Sequence, residues 1–110
     1  MDITESKLQK VWEKAKVISG YNPNEYRQDY AGAWIAYAEY GKQTTFGWSV
    51  DHAFPIAKGG SDELSNLVPL HWRNNESKGD NYPKFETVVS SDGDKNIEKR
   101  QSWEYKRNSY

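Results

Sequence analysis

The stretch from Trp48 to Asp80 constrains this chain more than any other. It carries both histidines, His52 and His71, the Gly59-Gly60 pair and a dense run of Asn and Asp. Trp48 and Val50 alternate with Ser49 and Asp51, the period of a half-buried strand. Pro55 and Gly59-Gly60 punctuate a loop, the glycines supplying backbone of positive φ. Leu67 to Leu70 is a short apolar run that reads as a second strand. From His71 onward the residues are mostly polar, none is β-branched, and Gly79 falls where a helix C-cap belongs. The order is therefore strand, long turn, short strand, helix.

Chemistry follows from that order. Asp51 and His52 are neighbours at a strand end, so their side chains leave on opposite faces. They can serve one point only if the strand breaks there, and Pro55, close behind, makes that break plausible. A carboxylate beside an imidazole, joined by an amide oxygen from the following helix, suits one hard divalent cation with open water positions. An imidazole not spent on the ion is free to act as a general base near neutral pH.

Asp51-His52, Pro55, Gly59-Gly60, Asn66-Leu67, Leu70, Asn75 and Lys78-Gly79 together resemble the signature of the HNH nucleases, over residues 48–83. The resemblance implies a ββα-metal core and a divalent-metal-dependent endonuclease acting on nucleic acid, with DNA the expected substrate. It implies that Asp51 and Asn75 are the metal ligands, Asn75 standing where other members have His. His52 is then the base that activates water, and Asn66 fixes the loop, expected to hold the His52 backbone. Mg2+ is the expected ion, with Mn2+, Ni2+ or Zn2+ as alternatives. Lys58, Arg73 and Lys78 are the cations expected to meet substrate, although Lys78 reads equally as a solvated helix charge. His71 is a rival ligand, but the spacing to Lys78 selects Asn75. Many HNH proteins bind a structural zinc through two Cys-x-x-Cys pairs. This chain has no cysteine, Asn74 stands where a cysteine often stands, and no structural zinc is expected.

Something else must hold the unit together, and composition points to aromatic rings. Only 35% of the 110 residues are hydrophobic, yet 15% are aromatic, with five Trp, eight Tyr and three Phe. Large rings bury much area each. Trp12, Trp34, Trp48 and Trp72 are expected to form one cluster behind the metal site. The length fits one domain, with residues 1–47 as a supporting segment, 48–83 as the site unit and 84–110 as a C-terminal hairpin and polar tail. The chain shows neither a signal-peptide pattern nor an apolar run of membrane-spanning length, so a cytoplasmic protein without a membrane partner is expected.

Net charge is −1 and the isoelectric point about 6.1, which argues against a strong non-specific nucleic-acid binder. The tail from Lys95 is locally +3, since Lys95, Lys99, Arg100, Lys106 and Arg107 outweigh Glu98 and Glu104 (5 − 2). Weak phosphate binding that fades with salt is the expectation.

Elsewhere the chain reads as α+β. Leu8, Val11, Trp12, Ala15 and Ile18 recur at helical spacing, predicting an amphipathic helix from Ser6 to Ile18, capped by Thr4 or Asp2 and ended by Gly20. Tyr21 to Asn24 is a turn, and Glu25 to Asp29 a single helical turn after Pro23. Ala33 to Tyr37 is expected to be extended, leading through Gly41–Gly47 into a hairpin. Arg27 and Asp29 are a candidate ion pair. Phe85–Val89 and Ile97–Trp103 flank the Asp92-Gly93 signal of a β-hairpin. Two other readings compete with the nuclease: a nucleic-acid-binding module that does not cut, and a protein-interaction domain. Asp51, His52 and Asn75 standing together favour the nuclease.

Overall fold

Residues 2–105 are described by a computed structural model. The N-terminal helix α1 spans Glu5–Trp12. Thr4 caps it, its hydroxyl accepting from the Lys7 N–H at 3.1 Å. α1 stops well short of Ile18 because the next carbonyls are claimed from outside. Arg27 donates to the carbonyls of Glu13 and Ala15, at 3.1 Å each, while its guanidinium lies 5.9 Å from the Trp12 ring centroid. The chain then runs extended as β1, Lys16–Val17, and pairs with β2, Tyr26–Gln28. The expected helical turn at Glu25–Asp29 is thus a strand. The extended reading of the next segment holds for β3, Trp34–Ala36. That strand closes an antiparallel sheet of order β1-β2-β3 and forms no hairpin with the strand after it. Arg27 and Asp29 do not pair, because Arg27 donates to the carbonyls of Pro23, Glu13 and Ala15, while Asp29 accepts from Ala31, Ala33, His71 and Asn74.

The site stretch begins with β4, Trp48–His52, antiparallel to β5, Leu67–His71, in a register that sets Trp48 against His71 and His52 against Leu67. Helix α2, Trp72–Lys78, comes next without a linker. The long C-terminal hairpin consists of β6, Lys84–Asp92, and β7, Lys95–Glu104. Asp92 pairs with Lys95, so Gly93 and Asp94 are the two turn residues. Gly93 takes φ of 62°, as the first position of a II′ turn requires. Lys106 and Arg107 of the basic tail lie outside the described residues.

The β4–β5 ribbon divides the interior. On one face Val11, Trp12, Ala15, Ile35, Trp48 and Leu67 form the apolar core. The Trp12 and Trp48 ring centroids are 5.1 Å apart, with Tyr37 and Tyr40 completing the group. Trp34 and Trp72 stand apart from it, so the four tryptophans do not make one cluster. Neighbouring strand residues face opposite ways. Ile35 takes the core, and Trp34 is left to pack on Tyr21 at 4.8 Å and donate to the Gly93 carbonyl at 3.1 Å. Trp72, at the start of α2, instead donates to the Thr44 carbonyl at 2.8 Å.

The other face is closed by polar groups. Asp29 is buried, and its carboxylate accepts from the N–H groups of Ala31, Ala33 and His71 and from the Asn74 side chain, at 2.9–3.1 Å. Asn74 is fully buried. Its oxygen accepts from Val88 and Val89 at 2.9 and 2.8 Å, where β6 bulges, and its amide also donates to the Val89 carbonyl. Burial pushes the Asp29 carboxyl up, against the four donors that pull it down. This knot joins the turn before β3, the β5–α2 junction and β6. It holds the position where the resemblance puts a zinc-binding cysteine. Among the described residues no three of His, Cys, Asp and Glu gather as a metal cluster.

Candidate active site

The end of β4 opens into a groove of about 260 Å³, lined by Asp51, His52, Pro55, Asn75 and Asp80 among others. As strand alternation dictates, Asp51 points to the α2 face and His52 to the α1 face, and both reach the groove because the strand ends there.

Asp51 is 5% exposed. The Lys78 ammonium lies 3.3 Å from Oδ1 and 3.2 Å from Oδ2, but only Oδ1 receives a hydrogen bond. Oδ2 is buried and held by that ion pair alone. Burial pushes the Asp51 carboxyl up, offset by Lys78 and then by His52. Lys78 therefore does not meet solvent or substrate. Its side chain is buried, it donates also to the His52 carbonyl at 3.1 Å, and it sits 5.4 Å from the Phe85 ring centroid. It faces inward because its partners, the Asp51 carboxylate and the His52 carbonyl, lie on the strand beneath α2.

His52 Nε2 is 2.7 Å from Oδ1 of Asp62. A carboxylate accepts, so Nε2 carries the hydrogen and Nδ1 keeps the lone pair. The same hydrogen bond holds the Asp62 carboxyl below its usual range. The loop bearing Asp62 is anchored from α1 and the turn after it. Lys7 donates to the Asp62 carbonyl at 2.5 Å, and Lys14 to the carbonyls of Leu64 and Leu67. Asn66 ties the loop from inside, accepting from Phe54 N–H at 2.8 Å and donating to the carbonyls of Phe54 and Ser61. It holds Phe54 and not the His52 backbone, since His52 already pairs with Leu67 across the ribbon. Gly60 is required there, because a Cβ would come within 1.7 Å of the Phe54 carbonyl oxygen.

On α2, Asn75 donates to Ser49 Oγ at 2.6 Å, which leaves its carbonyl oxygen for another partner. Arg73, two residues earlier, lies on another side of the helix and pairs with Glu98 of β7 at 2.5 Å, away from the groove. Lys58 is exposed on the short turn Ile56–Lys58, whose first residue lines the groove. His71 caps α2. Its Nδ1 accepts from Arg73 N–H at 3.1 Å, and its Nε2–H donates to the Thr45 carbonyl at 2.9 Å. Burial pulls this imidazole down, so it is a neutral cap with both nitrogens engaged, not a ligand.

An Asp51 carboxylate, an Asn75 amide oxygen and a histidine hydrogen-bonded to a carboxylate thus stand around one groove, above a loop pinned by Asn66. Residues 38–84 match the family model described as HNH endonuclease. No curated protein and no solved structure matches the chain. The HNH match begins ahead of β4, at Ala38, and so takes in the end of the Tyr37–Glu39 turn and the Gly41–Gly47 connection. It ends at Lys84, where the hairpin starts. Nuclease action on nucleic acid, with the divalent metal usual for HNH nucleases, is what the match supports. Sequence reasoning had passed over Asp62. Its signal was local: an acid in the same loop as His52, just after the Gly59-Gly60 turn. No helix among the described residues is long and apolar enough to cross a membrane.

Proposed function

We propose that this chain is a divalent-metal-dependent endonuclease, with DNA as its substrate and residues 1–110 acting as one HNH domain built around a ββα-metal unit at 48–83. The observation that carries the reading is the meeting of Asp51, His52 and Asn75 on one groove, where the buried Asp51 Oδ2 has the Lys78 ammonium at 3.2 Å and makes no hydrogen bond. A carboxylate oxygen and an amide oxygen are the hard donors that Mg2+ or Mn2+ takes, with water completing its shell. Such an ion would neutralise the phosphate and stabilise the leaving oxygen.

The chain's own groups do the rest. Asp62 holds His52 in the Nε2–H form, so Nδ1 takes the proton from the attacking water. The Asp62 carboxylate then steadies the imidazolium, the logic of a base oriented by an acid. Asn66 keeps the strand end rigid, and Lys78 holds Asp51 in place and offsets part of the burial that pushes its carboxyl up. Lys58 is the cation left to meet phosphate.

One observation favours a second reading. Lys78 already supplies a positive charge to Asp51, which is what a non-cleaving nucleic-acid module would need to do without an ion. Plasmid nicking with Mg2+, Mn2+, Ni2+ or Zn2+ separates the two. Wild type is expected to nick and His52→Ala to be ~10²–10⁴-fold slower, with metal affinity by calorimetry retained. Asp51→Ala and Asn75→Ala should weaken metal binding, and His71→Ala should not. A chelator should stop cleavage while leaving the thermal midpoint of the protein in place. Equal nicking by wild type and His52→Ala would reject the assignment of the base.

A further inference from the structure

Asp51 also borders a second cleft, of about 300 Å³, between β5 and the C-terminal hairpin. Tyr30, Val68, Phe85, Trp103 and Tyr105 line it, and Asp51 forms part of its wall as it does of the groove's. Its rings meet edge to face or tilted. Tyr30 and Trp103 centroids are 5.3 Å apart, Tyr30 and Phe85 6.2 Å, and Tyr105 continues to Tyr82 at 5.4 Å. Trp103 is fixed by its N–H to Thr87 Oγ1 at 2.8 Å. Tyr30 is 43% exposed and Tyr105 42%, uncommon exposure for large rings that border a buried ion pair. Apart from Asp51, the nuclease reading uses none of these residues.

We propose that this cleft is a base-binding subsite, and that it takes an unpaired nucleobase of single-stranded DNA beside the scissile position. The proposal rests on the nuclease reading for the class of its partner. Three features select that occupant. The lining offers ring faces, on which any base stacks. Its free polar group is the Glu104 carboxylate, because Asp51 and the Lys78 ammonium are spent on each other. A carboxylate repels a phosphate but accepts from the N–H edges of a base. Finally, a chain of net charge −1 has no net positive field to hold a duplex by its phosphates, so stacking carries more of the binding energy. In a duplex the base faces are already stacked on one another, which makes the unpaired strand the ligand.

The test measures binding with metal chelated, so that cleavage plays no part. Fluorescence anisotropy of a labelled single strand of about 12 nucleotides is compared with its duplex, at two salt concentrations, for wild type, Tyr105→Ala, Tyr30→Ala and the two Tyr→Phe variants. The single strand is expected to bind more tightly, with a shallow salt dependence. Each Ala variant should lose about tenfold in single-strand affinity and little for the duplex, while the Phe variants, which keep the ring, bind as wild type. Circular dichroism at the binding temperature confirms that each variant is folded, and Tyr105, near the end of β7, is the less entangled of the two. Ala variants that bind like wild type, or a wild type that prefers the duplex, would overturn the subsite. Ring-dependent single-strand binding without cleavage in any metal would uphold the subsite and overturn the nuclease reading. Cleavage that ignores both tyrosines would do the reverse.

Discussion

The two faces of the β4–β5 ribbon are built on opposite principles. Towards α1 it is dry: Trp12, Trp48, Val11, Ile35 and Leu67 are all fully buried and apolar. Towards α2 it carries buried charge and amide, with Asp51 against Lys78, Asn75 against Ser49, and Asn74 against Asp29. Apolar burial stabilises without regard to direction. Buried polar pairs return little net stability but tolerate few arrangements. The difference teaches how a chain without cysteine holds a small site: one face supplies the free energy, the other the geometry. His52, on the dry side but at its rim, and Asp51, on the polar side, are brought to one groove because the ribbon ends at His52.

The sharpest way to break this contrast is on the dry face. Trp12→Ala should cost ~3–5 kcal/mol, lowering the thermal midpoint by roughly 12 °C or more. A smaller loss than for Trp34→Ala, which lies outside the main core, would show that the free energy is not concentrated where the ribbon and α1 meet. Next in size is the buried pair. Lys78→Met leaves Asp51 without its cation and should cost about 3 kcal/mol in chemical denaturation. Adding Asp51→Leu should recover most of that, since the penalty belongs to the stranded charge. A double variant as unstable as the single would mean that Lys78 contributes packing, not compensation.

A more modest effect is expected from the knot. Asp29→Asn sets an amide NH2 against groups that are all N–H donors. The cost should be ~1–3 kcal/mol, read as a shift in denaturation midpoint with unchanged slope. The smallest effect is a pH dependence. His71 is buried neutral, so its folded pKa lies below the ordinary 6.5. The unfolded chain then binds its proton first. Stability from this group is fully present above that value and is lost as pH falls through the window beneath it, with a slope of at most ~1.4 kcal/mol per pH unit. His71→Asn, which keeps a cap on α2, should flatten that slope between neutral and mildly acid pH. A slope that survives would have to come from other groups.

How much of this was open to reading from the chain alone differs by element. The strand at Trp48–His52, the Gly59-Gly60 turn, the strand at Leu67 and the helix ending before Gly79 are each set by neighbours in sequence: alternation, turn residues and a cap. The C-terminal hairpin follows from its Gly93 turn in the same way. α1 was legible in its first turns and not in its end, because what stops it is Arg27, reaching back from another strand.

The sequence by itself determined which residues could do chemistry, since Asp51, His52, Asn66 and Asn75 are fixed by identity and spacing along one short stretch. Only the tertiary structure decided what each of them touches. Asp62 orients His52 from ten residues away, Lys78 meets Asp51 from 27, and Asp29 meets Asn74 from 45. It also turned Lys78 inward and Arg73 aside, although both look like surface cations on a polar helix. The reason is physical. Local pattern records periodicity and backbone preference, which act between near neighbours. Buried polar partners are chosen by packing, and packing brings together residues whose separation along the chain leaves no trace in the pattern of either one.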